Sequence, residues 1–270
     1  MRLPVLVTIS IVAALGLSGC KSAGGDLITG SITPNTVPQV RDDAGWRAVV
    51  AQWQPVYDKN PQNAKAALNL GHALRMLRQN SQAVAVLQTA ASRNANDKAL
   101  IGEYGRSLAD NGNFAQALDV FGQAHTPDKP NWRILMAQGA VLDQMDRGVE
   151  ARKYYETALK IVPDDPSILS NYGLSYALSG DLANAEAVLR RAYANPRADV
   201  RVRQNLALVL ALGGKFDEAQ RVASQDMSPD QAAQNVAYIR SMVAQTNNWS
   251  KLKQLDGKPP KPRRAVIQPG

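Results

Sequence analysis

From residue 64 onward the small and apolar positions fall into register every 34 residues. Gly71, Gly105, Gly139 and Gly173 are 34 apart, and Ala207 continues the series. Twelve residues after each stands an alanine: Ala83, Ala117, Ala151, Ala185 and Ala219. Four further on come Leu87, Phe121, Tyr155, Leu189 and Ala223. Three beyond those are Ala90, Ala124, Ala158 and Ala192, and the fifth unit departs with Asp226. Each unit thus predicts two antiparallel helices of about 13 residues, each roughly 20 Å long. Gly112, Gly180 and Gly214 fall on the turn between the helices, where glycine adopts positive φ without steric cost. Pro163 closes the third unit, and Pro130 and Pro196 lie near the equivalent place.

Five units follow: 64–97, 98–131, 132–165, 166–199 and 200–229. A small residue at position 8 and an alanine at position 20 let paired backbones approach. Larger residues fill the space around that contact; in the second unit these are Ile101, Tyr104, Leu108 and Phe121. Residues 43–58 predict an extra helix of the second type, with Trp53 in the bulky position and Pro61 in the stop position. Pro55 inside it is expected to kink that helix or shift its boundary. Residues 230–245 predict a C-terminal capping helix, because a solenoid unit buries its apolar face only against neighbours. This is the tetratricopeptide pattern. The expected fold is all-α, a right-handed superhelical solenoid of about five repeats plus flanking helices.

The N-terminal end follows a different logic. Met1 and Arg2 precede an uncharged, largely apolar run from Leu3 to Leu17. Its 15 residues are short of the ~20 that span a bilayer, and suit the apolar region of a secretory signal peptide. Leu17-Ser18-Gly19-Cys20 resembles the bacterial lipobox, in which the cysteine becomes the first mature residue and carries lipid. Cys20 is the sole cysteine of 270 residues, which excludes an intramolecular disulfide. The expectation is a signal peptide over 1–19, a lipidated Cys20, and a flexible Gly-, Ser-, Thr- and Pro-containing tether over 20–42 spanning roughly 25 Å. Two or three acyl chains, at about 0.8 kcal/mol per buried CH₂, anchor a protein durably. Lys21, where an Asp tends to retain such proteins in the inner membrane, points by analogy to the outer membrane. The Ser18-x-x-Lys21 spacing of a β-lactamase-type motif spans the expected cleavage site and is read as chance.

The formal charge of +8 is compatible with a nucleic-acid ligand until its distribution is considered. Residues 246–270 hold six basic side chains against Asp256, so +5 of the total lies there and nucleic acid is not the expected partner. This Pro-rich segment is expected to be a disordered basic tail. No catalytic or metal-ligating constellation appears. His72 and His125 are 53 residues apart, and Gly213-Gly214-Lys215 lacks the frame of a phosphate loop. The expectation is a non-enzyme with no cofactor beyond lipid and no metal.

Repeats of this kind offer a groove lined by their first helices, in which positions 2, 5, 6, 9, 12 and 13 tend to face inward. The candidate peptide-binding residues are Lys65, Asn69, His72, Arg75, Arg106, Arg133, Asn171, Leu174, Asn205 and Leu208. Glu103, Asp110 and Asp143 also fall at such positions. The first half of the groove is charged and the second more apolar. Asn69, Asn171 and Asn205 share position 6, where an amide can bond a peptide backbone. Glu103 and Ala137 occupy that position in the other two units and break the carboxylate-clamp pattern of chaperone-binding repeats.

LSGC, the short tether and repeats such as NAKAALNLGHALR and DPSILSNYGLSYALSGDLANAEAVLRRA together resemble the TadD lipoproteins of tight-adherence (Flp) pilus systems, over most of residues 17–245. The resemblance implies a periplasmic assembly factor at the outer membrane. Such a factor helps the secretin insert or multimerise, in the manner of a pilotin, or joins it to the rest of the machine. Pilotin-like lipoproteins of type IV pili, adaptors that recruit peptidoglycan hydrolases, and a structural part in outer-membrane protein insertion share the architecture and stay open.

Overall fold

The computed structural model describes residues 42–126 and 128–256, the last eleven by backbone alone. The expected signal peptide, Cys20, Lys21, the tether up to Arg41 and the tail from Gly257 lie outside the described residues. Helix α1 (Asp43–Lys59) precedes five helix pairs. These are α2 (Ala64–Met76) with α3 (Asn80–Ala91), α4 (Lys98–Asp110) with α5 (Phe114–Ala124), and α6 (Trp132–Gln144) with α7 (Gly148–Ile161). Then come α8 (Pro166–Leu178) with α9 (Leu182–Tyr193), and α10 (Val200–Leu212) with α11 (Phe216–Ala223). Helix α12 (Pro229–Asp256) closes the array. The chain is therefore the all-α tetratricopeptide solenoid that its periodicity predicts.

Each first helix starts on an Asx cap, and the caps recur every 34 residues. The side chains of Asn63, Asp97, Asn131, Asp165 and Asp199 accept first-turn backbone N–H groups of α2, α4, α6, α8 and α10. Such caps contribute about 1 kcal/mol each. The turn between paired helices is equally periodic. Arg78, Gly112, Asp146, Gly180 and Gly214 all take φ between +58 and +81°. The next N–H in each case returns to the carbonyl five residues back, as from Gln79 to Leu74 at 2.8 Å and Arg147 to Leu142 at 2.9 Å. This is the Schellman closure. Glycine occupies that left-handed position in three units; Arg78 and Asp146 hold it in the other two.

Paired helices meet where glycine faces a bulky side chain. A Cβ on Gly71 would lie 2.5 Å from Leu87, on Gly105 2.5 Å from Phe121, on Gly139 2.7 Å from Tyr155 and on Gly173 2.6 Å from Leu189. Ala83, Ala117, Ala151, Ala185 and Ala219 are all fully buried beside these contacts. Apolar packing runs along the array as a chain of clusters rather than one central core. Asp143 on α6 accepts from Tyr155 Oη at 2.8 Å and Ser175 Oγ at 2.7 Å, tying α6 to α7 and α8.

Three boundaries differ from the sequence expectation. Helix α1 continues through Pro55 to Lys59. Helix α12 extends eleven residues past 245, into the segment expected to be a disordered tail. No Gly or Pro interrupts 230–256, and the first breakers are Gly257 and Pro259. Helix α11 stops at Ala223. Asp226, which replaces the small residue there, instead receives Arg203 in a two-pronged pair at 2.7 and 2.6 Å.

Candidate functional site

The first helices pack side by side, α2 with α4, α4 with α6, α6 with α8 and α8 with α10, and so form one face. Its first half is organised around a single carboxylate. The side chain of Glu103 on α4 is only 6% exposed. Arg75 from α2 donates to its Oε1 at 2.6 Å, His72 Nδ1 lies 2.8 Å from the same oxygen, and Arg106 approaches Oε2 at 3.3 Å. Arg75 also grips Asp110 at the end of α4, through Nε at 2.8 Å and Nη2 at 2.7 Å. Burial by itself would raise the Glu103 carboxyl. The Arg75 guanidinium, the His72 hydrogen bond and the nearby Arg106 outweigh it and hold the group well below the usual carboxylate range. Burial lowers Arg75 too, but Glu103 and Asp110 leave it raised. Arg106 ends up lowered, by burial first and then by repulsion from Arg75 and Arg133, against the pull of Glu103.

Arg133 on α6 is in no ion pair among the described residues. It stacks 4.3 Å above the ring of Trp132, and its Nε is buried with no hydrogen-bond partner. One turn along α6 from Arg133 is Ala137, which lines a cavity of about 510 Å³. Arg75, Arg106 and Asp110 form its polar rim; Phe114, Phe121, Ala140 and Val141 supply apolar wall.

The second half of the face carries amides and one arginine, Arg201, already paired with Asp199. A smaller cavity of about 200 Å³ is lined by Met136, Ser167, Ser170, Asn171, Arg201, Gln204 and Asn205. Asn205 donates to Ser170 Oγ at 2.8 Å, bridging α10 and α8. Leu174 and Leu208 are half-buried on the same helices.

The structure thus brings His72, Arg75 and Arg106 together with Glu103, and Asn171 together with Asn205. Asn69 is separate: its Nδ2 bonds the Lys65 carbonyl of its own helix at 2.7 Å. Lys65 is exposed, with Nζ 5.8 Å from the Trp53 ring. Sequence reasoning placed Glu103 on this face but missed that it organises the cluster. The available signal was a lone acid at position 6 of the second unit, opposite His72 and Arg75 at positions 9 and 12 of the first. The 34-residue recurrence of the Asx caps was equally legible and went unused. Among the described residues no group of three or more His, Cys, Asp or Glu is arranged to hold a metal, and no helix is long and apolar enough to cross a membrane.

Two family models described as tetratricopeptide repeat match the chain, one over residues 103–166 and 136–200, the other over 200–225. No curated protein matches significantly. Among solved structures, the APC/C hetero-tetramer Cut9-Hcn1 superposes with a TM-score of 0.60 at 15% identity, covering 75% of this chain and 40% of that one. The thermophilic TPR protein TTC0263 of Thermus thermophilus gives 0.56 at 22% identity, over 65% of this chain and 98% of its own. MamA 41-end from Desulfovibrio magneticus RS-1 gives 0.50 at 19%, over 63% and 96%. At these identities the likeness is one of fold. Fold and face together define a tetratricopeptide-repeat scaffold for protein–protein interaction, an architecture that is generally not enzymatic.

Proposed function

We propose that this scaffold binds a segment of a partner protein along its first-helix face and is held at the periplasmic side of the outer membrane by lipid on Cys20. In this reading it assists Flp/Tad pilus assembly, as a pilotin-like factor for the secretin. The observation that carries the binding role is the pair of clefts, one with two arginines, Asp110 and an apolar wall, the other lined by amides, serines, a methionine and Arg201. Two clefts along one row of helices suit an extended or helical peptide. The membrane and pilus roles are supported by Leu17-Ser18-Gly19-Cys20, Lys21 and the resemblance of the repeats to TadD lipoproteins.

The test compares wild type, a deletion strain and Cys20→Ala. Outer membranes are blotted for this protein and for heat-resistant secretin multimers. Cys20→Ala is expected to leave the melting temperature unchanged and to remove the protein from the membrane fraction. Multimers are expected to vanish or mislocalise in both mutants. A Cys20→Ala protein that still fractionates with outer membranes would refute the lipid anchor. Multimers that persist while piliation is lost would place the action at another part of the pilus machine. No change in either would overturn the pilus reading and direct the clefts to peptidoglycan hydrolases.

A further inference from the structure

The geometry points to a carboxylate-reading end on this face. Arg106 and Arg133 receive acidic side chains of the partner segment, and the cavity beside them takes a neighbouring apolar side chain. The inference rests on the proposal that the first-helix face is the binding surface, and adds the chemistry of the ligand.

The charge count and the hydrogen bonds agree. Three guanidiniums, of Arg75 and Arg106 at the cavity and of Arg133 one turn along α6 from its Ala137 wall, stand against two carboxylates, of Glu103 and Asp110. Arg75 is spent, since it bonds both acids. Arg106 makes one contact, the longest of the cluster, through Nη1 alone. Arg133 is in no ion pair among the described residues, stacks on the Trp132 ring, and has one donor buried and unbonded. A partly buried cation with unused donors is stabilised by any carboxylate that reaches it, because desolvation strengthens the charge-assisted bond. Glu103 is the positioning residue: it pulls Arg75 and Arg106 into place and leaves Arg133 uncompensated.

The rest of the site selects among anions. Phe114, Phe121, Ala137, Ala140 and Val141 give the cavity an apolar wall, which a polyphosphate cannot use. Asp110 on the rim repels a densely charged chain, and the excess is a single positive charge. One or two carboxylates next to a Leu- or Phe-sized side chain match both features; nucleic acid matches neither. His72 and Arg75 of α2 lie at one edge of the cluster, and the arginine of the Asn171–Asn205 cavity, Arg201, is already paired with Asp199, so the preference for acid is confined to one end.

Two fluorescent, C-terminally amidated dodecapeptide pools supply the probes, titrated into the full-length protein in detergent. One draws every position from Glu, Leu, Phe, Ser and Gly; the other has Gln in place of Glu. Amidation removes the terminal carboxylate, so only side chains are read. The Glu pool is expected to bind at least tenfold more tightly at low salt. Arg133→Gln, which breaks no hydrogen bond, should erase most of that ratio, and Arg133→Glu should reverse it. Arg221→Gln makes the same charge change on α11, an exposed second-helix position, and should leave it intact. A ratio that survives Arg133→Gln would show that Arg133 does not read the acid and would overturn the inference. Equal binding of the two pools would overturn the inference alone and leave the binding face standing. Binding of neither pool would overturn both. A twelve-nucleotide single-stranded DNA that outcompetes the Glu pool would overturn the choice of a peptide.

Discussion

Replacing Glu103 by alanine tests whether the carboxylate on the first-helix face holds the first two units together. The side chain is 6% exposed and contacts three cationic or ionisable groups, of which Arg75 and Arg106 are themselves only 10 and 15% exposed. Removing one partner of a buried ion pair costs about 3–5 kcal/mol, because the charge left behind stays desolvated. Asp110 still neutralises Arg75 in the variant, which places the loss near the lower limit, about 3 kcal/mol. With a urea slope of about 2–3 kcal/mol per M, the midpoint should fall by about 1 M. The control is Glu150→Ala, whose pair with Arg147 is solvent-exposed and screened, so its urea midpoint should not move measurably. The pH dependence is a second readout. The Glu103 carboxyl is depressed below its ordinary value of 4.5, so the unfolded chain takes up the proton first. Its stabilisation is fully present above that value and is lost as pH falls through it towards the folded pKa. The gap between wild type and Glu103→Ala should therefore be wide at pH 5.5 and narrow steadily below pH 4.5. A cost under about 1 kcal/mol near neutrality, or a gap that stays constant down to pH 2.5, would show that Glu103 is solvated and that the cluster does not exist as described.

Two further substitutions address the repeat itself. Gly139→Leu drives a side chain into Tyr155, whose ring lies 2.7 Å from the site of the new Cβ, and should cost about 3 kcal/mol; an unchanged melting temperature would contradict the register. Asp146→Gly relieves a residue held at φ +58° and should stabilise by about 1 kcal/mol in urea unfolding, whereas Gly112→Ala at φ +81° should destabilise by a similar amount; equal melting points for all three proteins would show the turn to be unstrained.

The sequence alone determined the order of helices and turns and the contact that pairs them. Gly105 against Phe121, or Gly173 against Leu189, is a relation 16 residues long that repeats, so periodicity reveals it without any knowledge of distance. Cap and turn positions recur with the same period because they too are set within one unit. Residue type is a weaker guide there: Arg78 and Asp146 adopt the left-handed turn that glycine marks elsewhere, since the helices on either side impose it. The character of the binding face was decided by tertiary structure. His72, Arg75, Glu103 and Asp110 belong to two units, and whether their charges meet or point to water depends on how α2 lies against α4. The same applies to Arg133, which reads as one more surface arginine until the packing leaves its Nε buried and unbonded and sets its charge against that of Arg106. Burial and charge compensation are properties of several helices at once, and a sequence lists those helices without stating the distances between their side chains.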